Sequence, residues 1–252
     1  MEGGYRVGQE ISPEDLCKII EDHKNWIRTY EEEGKHANLS DANLSDANLS
    51  GAYLYRVDLS GANLNGADLS DANLSGANLN GADLSNANLS DANLNYAELI
   101  RADLSDADLS DADLYRADLR WAKLIGANLS DADLRWAKLI GANLRGAKLS
   151  EANLRGAKLS RTYLRKANLS RAYLRKANLS RADLNGADLS NANLSDAGLS
   201  GTWLWDANLT QVKNLSINKL SKVKTLYKAK LDPELMEQVK DKYPHLLKKP
   251  DV

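Results

Sequence analysis

"HANLSDANLSDANLSGAYL" (residues 36–54) places a leucine on every fifth residue, at Leu39, Leu44, Leu49 and Leu54. The same beat runs without insertion from His36 to Thr210, which is 35 consecutive five-residue units with Leu at the centre of each. Two residues before that Leu stands Ala in 32 of them; the exceptions are Val57, Thr162 and Thr202. An α-helix cannot use this pattern. Five residues advance a helix by about 500°, a net of about 140°, so successive leucines would scatter around the axis. A straight strand fails as well, because an odd spacing throws successive leucines to opposite faces. Within one unit, however, the pattern is strand-like: Ala37 and Leu39 point one way and Asn38 the other. The chain must then bend before the next unit so that Ala42 and Leu44 also point inward. A short extended piece and a corner, repeated, make a coil. Stacked coils hydrogen-bond above and below at about 4.8 Å around one continuous core.

The unit A(N/D)LSX, as in "ANLSDANLSG" and "GADLSNANLS", resembles the pentapeptide-repeat proteins, and the resemblance covers 175 of 252 residues. It implies an all-β solenoid, a right-handed quadrilateral β-helix with four units per coil. The repeats then make about 8–9 coils and a rod about 42 Å long. Laid on a 20-residue coil, the position after Leu on one face reads Ser50, Ser70, Ser90, Ser110, Ser130, Ser150, Ser170, Ser190 and Thr210, while the other faces vary there. The core ladder on one face is Leu39, Leu59, Leu79, Leu99, Leu119, Leu139, Leu159, Leu179 and Leu199. A buried Leu contributes about 1.5–3 kcal/mol, and ordering one residue costs about 1–2 kcal/mol. One Leu in five residues does not offset that alone, so hydrogen-bond ladders and close packing carry much of the stability.

Open coils need covers at both ends. Residues 1–11 read as a flexible leader and 12–35 as a capping helix. There Ser12 serves as N-cap, Pro13 as first helical residue, Asp15 stands near the capping-box position and Gly34 is the stop. Leu16, Ile19, Ile20, Trp26, Ile27 and Tyr30 form the stripe, with His23 and Cys17 as packing residues beside it. Residues 36–210 are the β-helix. Residues 211–252 form a helical cap and tail, with helices starting at Ser216 and at Asp232-Pro233. Pro244 ends the second helix, Leu235, Val239 and Leu246 cover the last coil, Trp203 and Trp205 lie under the cap, and "KKPDV" is a frayed end. α-Helical caps therefore close both ends, as a monomer or as a weak end-to-end dimer.

The net charge of -2 and pI of about 6.0 exclude a uniformly basic nucleic-acid binder. One cysteine, Cys17, excludes an intrachain disulfide framework. No secretory leader or membrane-length apolar run is legible, so the expectation is a cytoplasmic protein with no membrane partner. The three histidines, His23, His36 and His245, stand near the ends, away from the serines of the rod. With no nucleophile–base constellation, phosphate loop or metal-ligand spacing, the reading is no enzyme, no catalytic residues, no cofactor and no metal site. Asn and Asp before each Leu, such as Asn38, Asn43, Asp58 and Asp68, are expected to settle the turns through backbone hydrogen bonds and stacked ladders.

Charge is unevenly spread. Residues 36–119 hold 14 acidic and 3 basic side chains, and residues 120–182 hold 15 basic and 3 acidic. An acidic column (Asp71, Asp91, Asp111, Asp131, Glu151) lines one corner and a basic column (Arg135, Arg155, Arg175) an adjacent face. Trp121, Trp136 and Tyr115 form an aromatic patch, the two tryptophans belonging to two copies of "RWAKLIGANL" whose 15-residue spacing turns them to different sides. Tyr53 and Tyr55 lie on one face below Tyr115. The first functional expectation is a non-enzymatic rigid scaffold or macromolecular interaction surface with an unidentified protein partner. A second comes from the family, some of whose members mimic DNA and occupy DNA gyrase or topoisomerase IV. Here the acidic column favours that role and the basic band opposes it. A third is polyanion binding by the band 120–182, with Tyr163 and Tyr173 interleaved. Nucleic acid is disfavoured because the band's charge spreads around the rod. Slippage during natural expansion and an engineered consensus both account for the regularity.

Overall fold

The computed structural model describes residues 11–30 and 32–250. The leader expected over residues 1–11 falls outside them except for Ile11, which is partly buried against the core.

Each five-residue unit bridges in parallel through the residue before its Leu, once to the coil below and once to the coil above where both exist, and from Asn38↔Asp58 to Asn193↔Lys213 these bridges join residues twenty positions apart. Twenty residues therefore close one circuit, with four leucines inside it. We number the four faces by their first leucine: face 1 from Leu39, face 2 from Leu44, face 3 from Leu49 and face 4 from Leu54. The hydrogen bonding repeats with the same period. Leu39 N–H donates to Asp58 O at 2.7 Å and Asp41 N–H to Ser60 O at 2.8 Å, and Asn63 N–H donates back to Ala42 O at 2.9 Å.

The corners explain the five-residue beat. Ala42 N–H donates to Leu39 O at 3.2 Å, closing a four-residue turn. The third residue of that turn is left-handed, at φ +58° in Asp41 and +67° in Gly61. Positive φ at this position alone is the mark of a type II turn, which favours Gly and Asn. Here Arg, Lys, Glu, Tyr and Trp also take it, as in Arg161, Lys166, Glu151, Tyr96 and Trp121. The ladders above and below fix the backbone at these sites.

The residue before each Leu faces outward and holds the turn. Asn38 Oδ1 accepts from both the N–H (3.0 Å) and the hydroxyl (2.6 Å) of Ser40, and Asp58 does the same for Ser60. Between coils, Asn63 Nδ2 donates to Asn43 Oδ1 at 2.9 Å and Asn78 Nδ2 to Asp58 Oδ1 at 3.0 Å. Inside, all nine leucines of the face 1 ladder are buried, together with nearly every repeat alanine. Thr162 and Thr202, which replace Ala, are fully buried as well. Thr162 Oγ1 donates within reach of two carbonyls, Leu159 O at 2.7 Å and Leu139 O at 3.0 Å, so the hydroxyl is satisfied where it stands.

α1 (Pro13–Arg28) lies at the N-terminal end. Ser12 caps it through Asp15 N–H at 3.1 Å, and the Ser12 hydroxyl in turn donates to Asp15 Oδ2. Three expectations need correction. The helix ends at Arg28, not Gly34. Gly34 sits beyond it at φ +81°, where a Cβ would stand 2.2 Å from Asp22 O. Tyr30 leaves the apolar stripe and is 91% exposed, because the chain turns left-handed there (φ +54°). Cys17 is exposed, whereas His23 is fully buried.

The coil does not stop at Thr210. β1 (Asn208–Leu209) pairs in parallel with β2 (Lys230–Leu231), and Trp203 bridges Thr225. The offset has grown from 20 to 22 residues because α2 (Ile217–Leu220) is inserted in the circuit. "TLYKAKL" (225–231) is thus two degenerate units, with Leu226 and Leu231 buried and Lys228 at the left-handed corner. α3 (Pro233–Lys242) and a 3-10 turn (Pro244–Leu247) follow. Val239 and Leu246 are buried, and Leu235 packs partly buried against the core. Ser216 and Asp232 occupy N-cap positions without capping through their side chains; the Asp232 carboxylate instead accepts from Gln211 N–H at 2.9 Å. Trp203 and Trp205 meet the C-terminal segment through its degenerate coil, residues 224–227. Both sit half-buried on the outer wall of face 2, Trp203 beneath Lys224 and Trp205 edge-on to Tyr227.

Candidate interaction faces

The coil register sorts the charged side chains by face. In the rows 116–121, 136–141, 156–161 and 176–181, face 1 presents seven basic residues and one acidic residue. On face 3, the rows 46–51, 66–71, 86–91 and 106–111 present seven acidic residues and no basic one. The basic band is therefore not spread evenly around the rod. Over the same upper rows face 3 balances at three of each sign, and face 4 has five basic against four acidic residues. A sequence read linearly hides this, since neighbours on a face are twenty residues apart.

The acidic column Asp71, Asp91, Asp111, Asp131 and Glu151 runs down the corner between faces 3 and 4, exposed and left-handed throughout. Only Glu151 has an ion pair among the described residues, with Arg171 Nη1 at 3.0 Å. Arg135, Arg155 and Arg175 are exposed on face 4, beside the corner it shares with face 1. Arg135 is engaged by Asp133 and lies over the Tyr115 ring at 5.5 Å, and Arg175 approaches Asp196 at 3.8 Å.

The aromatic patch divides. Tyr115 stacks edge-on with Tyr96 at 5.6 Å, and Arg116 lies over both rings. Tyr53 and Tyr55 pair separately, 6.3 Å apart. Trp121 and Trp136 stand on the two corners that bound face 1, and each covers a glycine of the next coil. A Cβ at Gly141 would meet the Trp121 indole at 2.3 Å, and one at Gly156 the Trp136 indole at 2.5 Å. Both glycines are buried in consequence, while the tryptophans remain 54% and 45% exposed. Neither pairing lies within one copy of "RWAKLIGANL", whose own tryptophan and glycine are five residues apart; both appear once twenty residues are known to be one coil.

Between the two tryptophans, Asp118 is buried and receives Arg120 Nε at 2.7 Å and Lys138 Nζ at 3.0 Å. Burial works against its charge most strongly, but the hydrogen bonds from Arg120 and Lys138 and the charge of Lys138 together hold the carboxyl below its usual range. Two shallow depressions follow the corner between faces 1 and 2. One, about 440 Å³, is lined by Asn80, Gly81, Ile100, Arg101, Arg120 and Trp121. The other, about 450 Å³, is lined by Ile140, Arg161, Arg181 and three serines.

His23 and His36 are occupied structurally, accepting or donating to backbone groups of the first coils. Among the described residues no group of three or more His, Cys, Asp and Glu side chains is placed to hold a metal ion, and no helix is long and apolar enough to cross a membrane.

None of the curated proteins matches the chain. Among solved structures it is similar to HetL of Nostoc sp. strain PCC 7120, a pentapeptide repeat protein involved in heterocyst differentiation regulation. That similarity is 32% identity over 87% of this chain and 94% of the other, with a TM-score of 0.36. A trypsin-treated form of QnrB1, a plasmid-mediated fluoroquinolone resistance protein, is 25% identical over 74% of this chain and 89% of its own, with a TM-score of 0.49. Rfr23 of the cyanobacterium Cyanothece 51142 is 29% identical over 52% and 64%, with a TM-score of 0.23. The family model of pentapeptide repeats matches in eight copies between residues 35 and 191. With that match spanning more than half the sequence, and with a leucine-centred unit closing one circuit every four repeats, the chain belongs to the pentapeptide-repeat family.

Proposed function

We propose that the chain is a non-enzymatic scaffold: a right-handed β-helix, closed by helical segments at both ends, that docks an acidic macromolecule on the basic half of face 1. The observation that carries this reading is the sorting of charge by face, seven basic residues against one acidic between Arg116 and Arg181. Lys158, Arg161, Lys176 and Arg181 have no ion pair among the described residues, so their charge is available to a partner. Trp121 and Trp136 frame the face with apolar area of the kind that anchors protein contacts. Binding to heparin over a salt series tests it. The expected result is affinity that falls steeply with salt and is weakened at least about tenfold by combining Lys158→Glu, Arg161→Glu and Arg181→Glu. Equal binding by the triple variant would remove face 1 from the proposal.

The acidic corner favours a second reading, a DNA-like surface for a type II topoisomerase. Five carboxylates recur there one coil apart, and four of them are free of ion pairs among the described residues. Inhibition of purified gyrase in a supercoiling assay, lost on Asp91→Lys with Asp111→Lys, is its expected signature.

A further inference from the structure

Face 2 differs from the other three in carrying both signs of charge in separate halves. Its lower rows (41–46, 61–66, 81–86, 101–106) hold five acidic residues and one basic; its upper rows (121–126, 141–146, 161–166, 181–186) hold six basic and one acidic. Over matching rows face 1 is basic above and nearly balanced below. Face 3 is acidic below and balanced above, and face 4 mixes both signs in each half, with four acidic and two basic residues below and five basic and four acidic above. A surface negative at one end and positive at the other is complementary to itself turned end for end. We propose that two copies of this chain pair side by side and antiparallel through face 2.

The symmetry fixes the register. A twofold axis lying in the interface and crossing the rod at right angles keeps each column of side chains on itself and inverts its height. With four acidic-side rows and four basic-side rows, the axis passes midway between the rows that start at Arg101 and Trp121. Trp121 then faces Arg101 of the second copy, Lys123 faces Asp103, Asn143 faces Asp83, and Arg181 faces Asp41. Each is an attractive contact. Within one chain Lys123 Nζ already reaches Asp103 Oδ2 at 2.9 Å, so the axis gathers two lysines and two aspartates into one alternating cluster.

Shape agrees with charge. Trp121 and Ile125 are exposed, 54% and 40%, and lie in the row next to the axis, where an interface places its apolar centre. The Trp121 indole leans over Gly141, and the residue facing Gly141 in this register is Gly81 of the other copy. Gly81 has no neighbouring atom within 4 Å of the space a side chain would take, and it lines the depression of about 440 Å³ with Ile100 and Arg101. The indole of each copy thus enters an open hollow of the other. Of the docking surface proposed above, Arg116, Lys138, Lys158 and Lys176 stay outward in this pairing, whereas Trp121, Arg161 and Arg181 stand on the corner that faces 1 and 2 share.

Sedimentation velocity on the full chain reads the outcome. The expected result is a dimer at about 0.02 M salt that dissociates at about 1 M, where screening reaches about 3 Å. Asp103→Lys alone and Lys123→Asp alone should each weaken the dimer at least about tenfold. An equimolar mixture of the two variants should restore it as a heterodimer, since each then meets the opposite charge across the axis. Trp121→Ala should weaken pairing while leaving the circular dichroism spectrum unchanged. A monomer at low salt would overturn the proposal. So would a dimer indifferent to these substitutions, which would mark an end-to-end contact, and so would open-ended growth, which would mark face 1 of one copy on face 3 of the next.

Discussion

His23 closes the N-terminal edge of the rod, and replacing it offers the sharpest test of how the solenoid is capped. In every coil above the first, the carbonyl after Leu accepts from the corner N–H one coil below, as Ser60 O does from Asp41 N–H. At the bottom edge there is no coil below. The buried imidazole stands in: its Nε2 meets Tyr55 O at 2.8 Å and its Nδ1 accepts Ala37 N–H at 3.1 Å. Only a neutral ring protonated on Nε2 makes both bonds. His23→Phe keeps an aromatic ring of similar size and leaves two buried backbone groups without partners. Each orphan costs about 1–3 kcal/mol, so the cap should lose about 2–6 kcal/mol. Because repeats couple mainly to their neighbours, the loss should concentrate at this end. Hydrogen exchange at Ala37 and Leu39 should therefore accelerate at least about tenfold, while amides near Leu119 hardly change. The wild-type cap should also respond to acid. Burial, the largest influence, and the neighbouring His36 lower the His23 pKa from 6.5, against the opposing pull of the Tyr55 carbonyl. A detached cap takes up a proton at a higher pH than the docked one. Its stability is thus complete above 6.5, falls as pH drops below that value, and levels off once the docked ring protonates. Unchanged exchange at Ala37 in the variant, or identical cap stability at neutral pH and in mild acid, would refute the argument.

Other outcomes follow from the packing. Leu119→Ala, fully buried at mid-rod, should lower unfolding free energy by about 2–5 kcal/mol in urea denaturation. Gly141→Ala combines a left-handed backbone (φ +71°) with a Cβ 2.3 Å from the Trp121 ring, so it should displace the indole and change its fluorescence as well as reduce thermal stability. Asp118 contributes stability that is present above 3.8 and lost as pH falls through its lowered value. Asp118→Asn should therefore flatten the acid limb of a stability–pH curve.

The structure extends the sequence reading most where the repeat degrades. The strict beat ends at Thr210, yet the coil continues through Leu226 and Leu231, because burial and backbone pairing tolerate units whose letters no longer match. An insertion of two residues in the circuit, which includes α2, was enough to hide "TLYKAKL" from a fixed five-residue frame. His23 was legible only as a packing residue, since its partners, Tyr55 and Ala37, come from the coil edge. The candidate columns were legible as spacings; their neighbours across a corner were not.

What the sequence determined by itself is the unit: Ala and Leu two apart, a short polar residue between them, and a bend before the next unit. These are local demands of side-chain alternation and spacing, and they can be read within each five-residue segment. Which side chains share a face depends on how many units close a circuit. That number is set by packing around a common axis, and it places residues twenty apart in contact. The charge pattern of face 2, the glycines beneath the tryptophans and the imidazole at the open edge all arise from that closure.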